Sequence, residues 1–189
     1  MCLHPTWMPG TIVGAARPAA PAMSERVLEM ARPPIVLEPI TDRAWLAGFI
    51  IAHWGGAGVV RRGRLVANDA LVGIRALLGG ELAGVASWRT DGADREIVTL
   101  NALAPGRGVG TALVKAARAA ARQDRIVRLW LITTNDNLDA LRFFQRRGFR
   151  IATVYAGAVS ESRRLKPSIP EIGAYGIPIR DEIELERAP

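Results

Sequence analysis

The sequence has little of what disulfides, metal centres and membrane spans require. Its 189 residues include one cysteine and two histidines, which excludes an internal disulfide and leaves little material for a zinc site. No run approaches the roughly 18 apolar residues of a membrane-spanning helix. A basic segment followed by a clean apolar one, as in a secretory signal, is also missing. These absences predict a soluble, cytoplasmic protein that holds no metal and contacts no membrane.

The chain divides by composition into a short N-terminal extension and one domain. Residues 1–34 are rich in proline and small residues and show no sustained hydrophobic period, so we predict a flexible N-terminal extension, with Met23 as a candidate internal start. Residues 35–189 are predicted to form a single domain, because the chain is 49% hydrophobic and long enough for one ordinary α/β unit.

Hydrophobic periods predict an α/β (α+β) fold with the element order β-α-(β)-β-β-β-α-β-α-β-β, in which residues 59–67 are ambiguous. Thr41 is the predicted cap of the first helix. Gly79 and Gly80 indicate a tight hairpin. The pattern predicts a mixed sheet, with an antiparallel meander first and βαβ units after it.

Positive charge is concentrated in one part of the chain. The formal net charge is +7, and residues 105–150 contain ten basic and three acidic residues, so this window holds the whole excess. Such a localised field favours a polyanionic ligand such as a nucleotide, a phosphorylated cofactor or a nucleic acid. A solvated basic surface is the simpler alternative.

A glycine-rich turn lies inside this window, between a predicted strand and a predicted helix. Its glycines are Gly106, Gly108 and Gly110. Glycines let backbone N–H groups approach a ligand, and a helix N-terminus attracts anions, so the turn suits a phosphate or pyrophosphate. The spacing matches neither a P-loop nor the dinucleotide fingerprint. A plain strand–helix connection is the alternative.

A second motif follows the central strand. Asn137, Ala140, Leu141 and Phe144 fall on one helix face, and Asn137 and Phe144 are about 10 Å apart along it. An extended ligand can touch both residues. The alternatives are a helix N-cap for Asn137 and core packing for Phe144.

Together the two motifs resemble those of the GNAT N-acetyltransferases. The family's first signature, Gln/Arg-x-x-Gly-x-Gly/Ala, corresponds to Pro105-Gly-Arg-Gly-Val-Gly110. Its second, Asn-x-x-Ala-x-x-Phe-Tyr-x-x-x-Gly-Phe, is matched by Asn137, Ala140, Phe143, Gly148 and Phe149. The resemblance covers roughly residues 35–187 and implies a mixed, mostly antiparallel sheet with flanking helices and a V-shaped cleft for acetyl-CoA.

The resemblance also implies the roles of the cofactor-binding residues. Main chain near Leu100 would pair with the pantetheine arm and polarise the thioester carbonyl, and Asn137 and Phe144 would contact the ligand. The pyrophosphate would lie on the backbone of Gly106, Arg107, Gly108, Val109, Gly110 and Thr111.

Two positions depart from the family pattern. Pro105 replaces the usual Gln/Arg, and Phe144 stands where the family commonly has a tyrosine that protonates the leaving thiolate. Tyr155 is therefore a candidate acid, with packing in the sheet as the alternative. Glu96 is the candidate base, placed by strand alternation on the face of Leu100, with an exposed strand-end carboxylate as the alternative.

The resemblance implies an acetyl-CoA-dependent N-acetyltransferase that uses no metal and whose primary amine attacks directly in a ternary complex. The acceptor, a small molecule or a peptide, is open, as is homodimer formation. His53 and Trp54 either line the acceptor pocket or pack, and Glu182, Glu184 and Glu186 either attract a cationic acceptor or form a wet strand face. A non-catalytic acyl-CoA-binding module is the alternative function, and nucleic-acid binding ranks last because no such motif is present.

Overall fold

The computed structural model describes residues 33–56 and 58–189. The predicted extension lies outside these residues except for Pro33 and Pro34, and Met23 lies outside them as well. The first strand begins at Ile35, where order was predicted to begin.

Nine strands form two sheets in the described part of the chain. The strands are β1 (Ile35–Ile40), β2 (Gly58–Arg61), β3 (Arg64–Ala67), β4 (Val72–Leu78), β5 (Glu81–Asp91), β6 (Asp94–Ala102), β7 (Arg128–Thr134), β8 (Arg150–Tyr155) and β9 (Glu182–Arg187). The main sheet has the order β1-β4-β5-β6-β7-β9-β8, and β2 and β3 form a separate hairpin. Only the β6–β7 pair is parallel, so the predicted mixed and mostly antiparallel sheet is confirmed.

Four α-helices accompany the strands over the same residues: α1 (Arg43–Trp54), α2 (Val109–Gln123), α3 (Leu138–Gln145) and α4 (Ala158–Leu165). Helix α2 begins directly after the glycine turn, as the sequence predicted. The cap of α1 is Asp42, whose side chain accepts a hydrogen bond from Trp45 N at 2.9 Å, so the prediction of Thr41 was wrong by one residue. Helix α4 was not predicted.

The two faces of the sheet have separate cores. On one face, α2 and α3 cover a cluster that includes Leu113, Leu131 and Phe144. On the other, α1 and the β2–β3 hairpin cover a cluster that includes Ile50, Val66 and Val85. These layers keep both faces of the central strands out of water, as strands with apolar residues on both faces require.

Strands β6 and β7 separate after a short paired stretch. Their pairing spans Asp94–Glu96 and Arg128–Trp130, whereas β6 continues to Ala102 and β7 to Thr134. Beyond Glu96 and Trp130, the two strands border an open wedge. This is the V-shaped cleft that the resemblance implied.

Candidate active site

The glycine turn lies at the open end of the wedge, between the end of β6 and the start of α2. Gly106 and Gly108 have φ of 71° and 81°, in the left-handed region that favours glycine. Gly108 is the N-cap of α2 and offers no capping side chain. Within the residues that the structure describes, the N–H groups of residues 106–111 have no protein acceptor. The turn therefore presents a row of free donors at the positive end of a helix dipole.

Gly110 has a different physical reason to be glycine. A Cβ atom at this position would lie 3.0 Å from Cζ and 3.1 Å from Cε2 of Phe143. The third glycine of the motif therefore lets α2 pack closely on α3, whereas the first two set the shape of the turn.

A basic concavity adjoins the turn. It has a volume of about 560 Å³ and is lined by Thr111, Asp139, Arg142, Phe143, Arg146 and Arg147. Arg147 lies over the Phe143 ring at 3.6 Å and donates a hydrogen bond to Thr111 Oγ1 at 2.5 Å. Burial, together with the charge of Arg146, lowers the pKa of the Arg147 guanidinium. Arg142, Arg146 and Arg147 belong to the basic window of residues 105–150, and no local pattern in the sequence indicates that they lie beside the glycine turn.

A second, highly charged pocket lies at the closed end of the wedge, where β6 and β7 are still paired. Its volume is about 350 Å³. Its lining includes four arginines, which are Arg62, Arg64, Arg89 and Arg128. It also includes four carboxylates, which are Asp91, Asp94, Glu96 and Glu184. Trp130 and Tyr155 complete the pocket.

Glu96 is the most deeply buried carboxylate of this pocket, with 2% of its side chain exposed. It forms ion pairs with Arg61 and with Arg89, whose Nε lies 2.9 Å from Glu96 Oε2. Burial raises the pKa of Glu96 above its ordinary value, although both guanidiniums act in the opposite direction. The alternative reading of Glu96 as an exposed strand-end carboxylate was wrong.

A bulge in β6 changes the face on which Glu96 lies. Val98 is the extra residue between the pairs Trp88–Ile97 and Ser87–Thr99. As a result, Ile97 and Leu100 pack in the same core cluster although they are three residues apart. Glu96 therefore lies on the face opposite Leu100, and the prediction that they share a face was wrong.

Comparisons with known proteins identify the family. Residues 57–149 match the family model described as Acetyltransferase (GNAT) family. The chain is 40% identical over 139 residues to the uncharacterized protein YdhI of Bacillus subtilis (strain 168), covering 73% of this chain and 87% of that relative. The chain belongs to the GNAT family.

Solved GNAT structures share the fold of this chain. A Bacillus subtilis acetyltransferase in complex with CoA has a TM-score of 0.62 at 21% identity, covering 82% of this chain and 99% of the other. A GNAT family acetyltransferase from Elizabethkingia anophelis with acetyl-CoA bound has a TM-score of 0.61 at 20% identity, covering 82% and 98%. The family and these complexes support an acetyl-CoA-dependent acetyltransferase.

The residues of the second GNAT motif have structural partners in this chain. Asn137 is the N-cap of α3, and its Oδ1 accepts from Ala140 N at 3.1 Å. Phe144 is fully buried and packs edge-to-face on Phe143 and Phe149. Both alternatives from the sequence, cap and core, are thus present in the structure, and the cofactor contacts of Asn137 and Phe144 stay predictions.

Tyr155, at the end of the edge strand β8, lies in the same pocket as Glu96. Its hydroxyl donates to Glu184 Oε2 at 2.8 Å and accepts from Arg62 Nη1 at 3.0 Å. The structure therefore brings the candidate acid and base of this GNAT together, although they are 59 positions apart in the sequence.

The glutamates of β9 are not a wet strand face. Glu182 and Glu184 are buried, and their partners include Arg62, in the turn of the β2–β3 hairpin, and Ser162 of α4. Glu182 accepts from Arg62 N and Ser162 Oγ, each at 2.7 Å. Glu186 accepts from Arg128 Nε at 2.6 Å. These partners already occupy the glutamates, so β9 does not offer a free acidic surface to a cationic acceptor.

His53 and Trp54 have packing roles. The His53 ring stacks on Phe49 at 3.9 Å, and Trp54 Nε1 donates to Asn101 Oδ1 at 2.9 Å. Neither residue lines the Glu96 pocket. Over residues 33–56 and 58–189, no helix is long and apolar enough to cross a membrane, and no cluster of metal-ligating side chains was found.

Proposed function

We propose that this GNAT transfers an acetyl group from acetyl-CoA to a primary amine by direct attack in a ternary complex. One observation carries the proposal: the wedge between β6 and β7 has free backbone donors at its open end and a buried carboxylate, Glu96, at its closed end. An extended thioester can span that distance with its phosphates outside and its acetyl group inside.

The cofactor's phosphates bind at the glycine turn. Free N–H groups of residues 106–111 donate to the pyrophosphate, and Arg146 and Arg147 supply positive charge beside Thr111. A Cβ at Gly106 would meet no atom within 4 Å, so the cradle is open to the ligand there. Free N–H donors with positive charge beside them suit a polyanion. A strand–helix turn that only connected two elements would not require them.

The pantetheine arm lies along the unpaired part of β6. Leu100 is four residues beyond Glu96, which corresponds to about 13 Å along a strand. Main chain near Leu100 is therefore placed to pair with the arm, whereas the acetyl group lies closer to the bulge at Val98. Asn137, at the N-terminus of α3, contributes to the other side of the arm.

In the reaction, the amine nitrogen attacks the thioester carbonyl carbon, its proton passes to Glu96, and the carbon–sulfur bond breaks. The raised pKa of Glu96 makes it a stronger base than an exposed glutamate. The coenzyme A thiolate leaves and takes a proton from water or from Tyr155, which must first release its hydrogen bond to Glu184. The single cysteine is Cys2, far in sequence from every motif, which supports transfer without an acyl-cysteine intermediate.

Calorimetric titration with acetyl-CoA, followed by thiol release with a panel of amines, tests the proposal. We expect binding at micromolar concentrations and coenzyme A release that depends on the amine. Failure to bind acetyl-CoA at high micromolar concentration would contradict the proposed cofactor and the activity together.

A non-catalytic acyl-CoA-binding module is the second candidate, favoured by Phe144. This residue has no hydroxyl and is fully buried, and Pro105 also departs from the family's first motif. A module of this kind binds acetyl-CoA but releases no coenzyme A with any amine. A rate gain in Phe144→Tyr would indicate a slow but genuine enzyme.

A further inference from the structure

The arginines of the Glu96 pocket differ in how far the protein already occupies them. Arg128 is fully engaged, because it bonds Glu184, Glu186 and Asp94. Arg62 donates to Tyr155 and lies 3.7 Å from Glu184. These two guanidiniums hold the pocket wall together.

Two other arginines keep unused donors. Arg89 donates to Glu96 through Nε, and within the described residues its terminal nitrogens have no protein acceptor. Arg64 is exposed, and its side chain has no hydrogen bond or ion pair to any described residue. Arg64 is the cross-strand partner of Arg61, whose guanidinium bonds Glu96, so both project from the same side of the hairpin. The pocket therefore offers free guanidinium donors beside its carboxylate base.

We propose that the acceptor is a free α-amino acid, with its amine at Glu96 and its carboxylate on Arg89 and Arg64. This inference rests on the proposed acetyltransferase function and names its substrate class. Guanidinium groups bind carboxylates through paired, charge-assisted hydrogen bonds, and a planar fork fixes the direction of those bonds.

The spacing of the groups favours this class over other amines. Because Arg89 Nε lies 2.9 Å from Glu96 Oε2, the terminal nitrogens of the same guanidinium lie within about 5 Å of that carboxylate. A single carbon separates the amine and carboxylate of an α-amino acid, so one small molecule can reach both. A polyamine, an aminoglycoside, a lysine side chain or a peptide N-terminus brings no carboxylate next to its amine, so it offers no acceptor to Arg64 or to the terminal nitrogens of Arg89.

Matched acceptors test the inference directly. The full chain is supplied with acetyl-CoA and each proteinogenic L-amino acid, its amide, and the amine that lacks the carboxylate, such as histidine, histidinamide and histamine. We expect kcat/KM for the preferred amino acid to exceed that for its amide by about tenfold or more. The amine of an amide is less basic and more readily deprotonated, so its intrinsic reactivity works against the expected result.

A pair of variants locates the effect. Arg64→Gln is expected to raise KM for the amino acid about tenfold and to remove most of the preference over the amide. Arg180→Gln is the matched control, because Arg180 is also exposed, lies outside this pocket, and has no side-chain partner in the described part of the chain. Equal effects of the two variants would overturn the assignment of Arg64.

The remaining outcomes separate the two proposals. Amides or simple amines acetylated as well as amino acids would overturn the inference and leave the acetyltransferase function intact. If no acceptor releases coenzyme A, the proposed acetyltransferase function is contradicted. Calorimetric titration of the amino acids in the presence of coenzyme A then tests separately whether the pocket binds this class of molecule. Binding that Arg64→Gln weakens would support the inference, and no binding would overturn it.

Discussion

The two ends of the wedge present different chemistry to a ligand. At the open end, the donors are backbone N–H groups of one continuous segment, residues 106–111, shaped by glycines. At the closed end, the groups are side chains from six strands, β3 and β5 to β9, and from Arg62 in the β2–β3 turn, and ion pairs link several of them. The first kind of site depends on local sequence, whereas the second depends on how distant segments meet.

The largest expected effect comes from the closed end. Glu96→Gln removes the proposed base, so we expect kcat to fall by about 10² to 10⁴ while acetyl-CoA binds with unchanged affinity. Thiol release and calorimetry measure the two quantities. Glu38→Gln is the control, since Glu38 also lies on a strand and pairs with an arginine, Arg75, at 2.8 Å. Equal losses in both variants would remove Glu96 from its catalytic role.

The pH profile sharpens the same assignment. A base must be deprotonated to act, and burial raises the pKa of Glu96, so kcat/KM should increase with pH along a limb above the ordinary range of a glutamate. At pH values below the pKa of Glu96, kcat/KM falls about tenfold per pH unit. The residual activity of Glu96→Gln should lack the limb. A limb that persists there belongs to another group.

A smaller effect is expected at the open end. Gly106→Ala places a side chain at φ of 71°, in a cradle where the cofactor's phosphates would lie, and should weaken acetyl-CoA binding about tenfold. Gly80→Ala is a matched control in another turn, with φ of 88° and open space around it. Both variants should lose about 1 kcal/mol of stability. Calorimetry that found equal binding losses would contradict the proposed phosphate site.

The smallest effect on binding is expected at Gly110. Gly110→Ala forces a Cβ against the Phe143 ring, so we expect the free energy of unfolding to fall by about 1–3 kcal/mol, as in an overpacked core. Denaturant unfolding measures this change. Phe143→Leu in the same chain should restore part of the loss. Without such rescue, the close contact is not what requires glycine there.

These differences explain what the sequence could predict. The glycine turn and the helix that follows it depend on backbone freedom and local hydrophobic period, so these two elements of the open end were predictable from the sequence. The hairpin β2–β3 was ambiguous because its turn residues, Arg62 and Gly63, both have positive φ and Arg62 is unusual there. The bulge at Val98 shifts the side-chain alternation of β6 by one residue, and no sequence signal marks it. Simple alternation therefore predicted the wrong face for Glu96. The charged pocket could not be predicted without the strand order, because its side chains come from segments far apart in the sequence.

The separate β2–β3 hairpin has a consequence for how such an enzyme can diversify. It contributes Arg61, Arg62 and Arg64 to the Glu96 region, yet its strands pair only with each other in the described chain. Packing and single bonds hold it against the rest of the domain, such as the hydrogen bond from the backbone N–H of Arg62 to the Glu182 side chain. Under the proposed function, we therefore expect exchange of this hairpin to change acceptor specificity and to leave the glycine turn unchanged, provided that the new hairpin still covers the core that Val59 and Val66 fill.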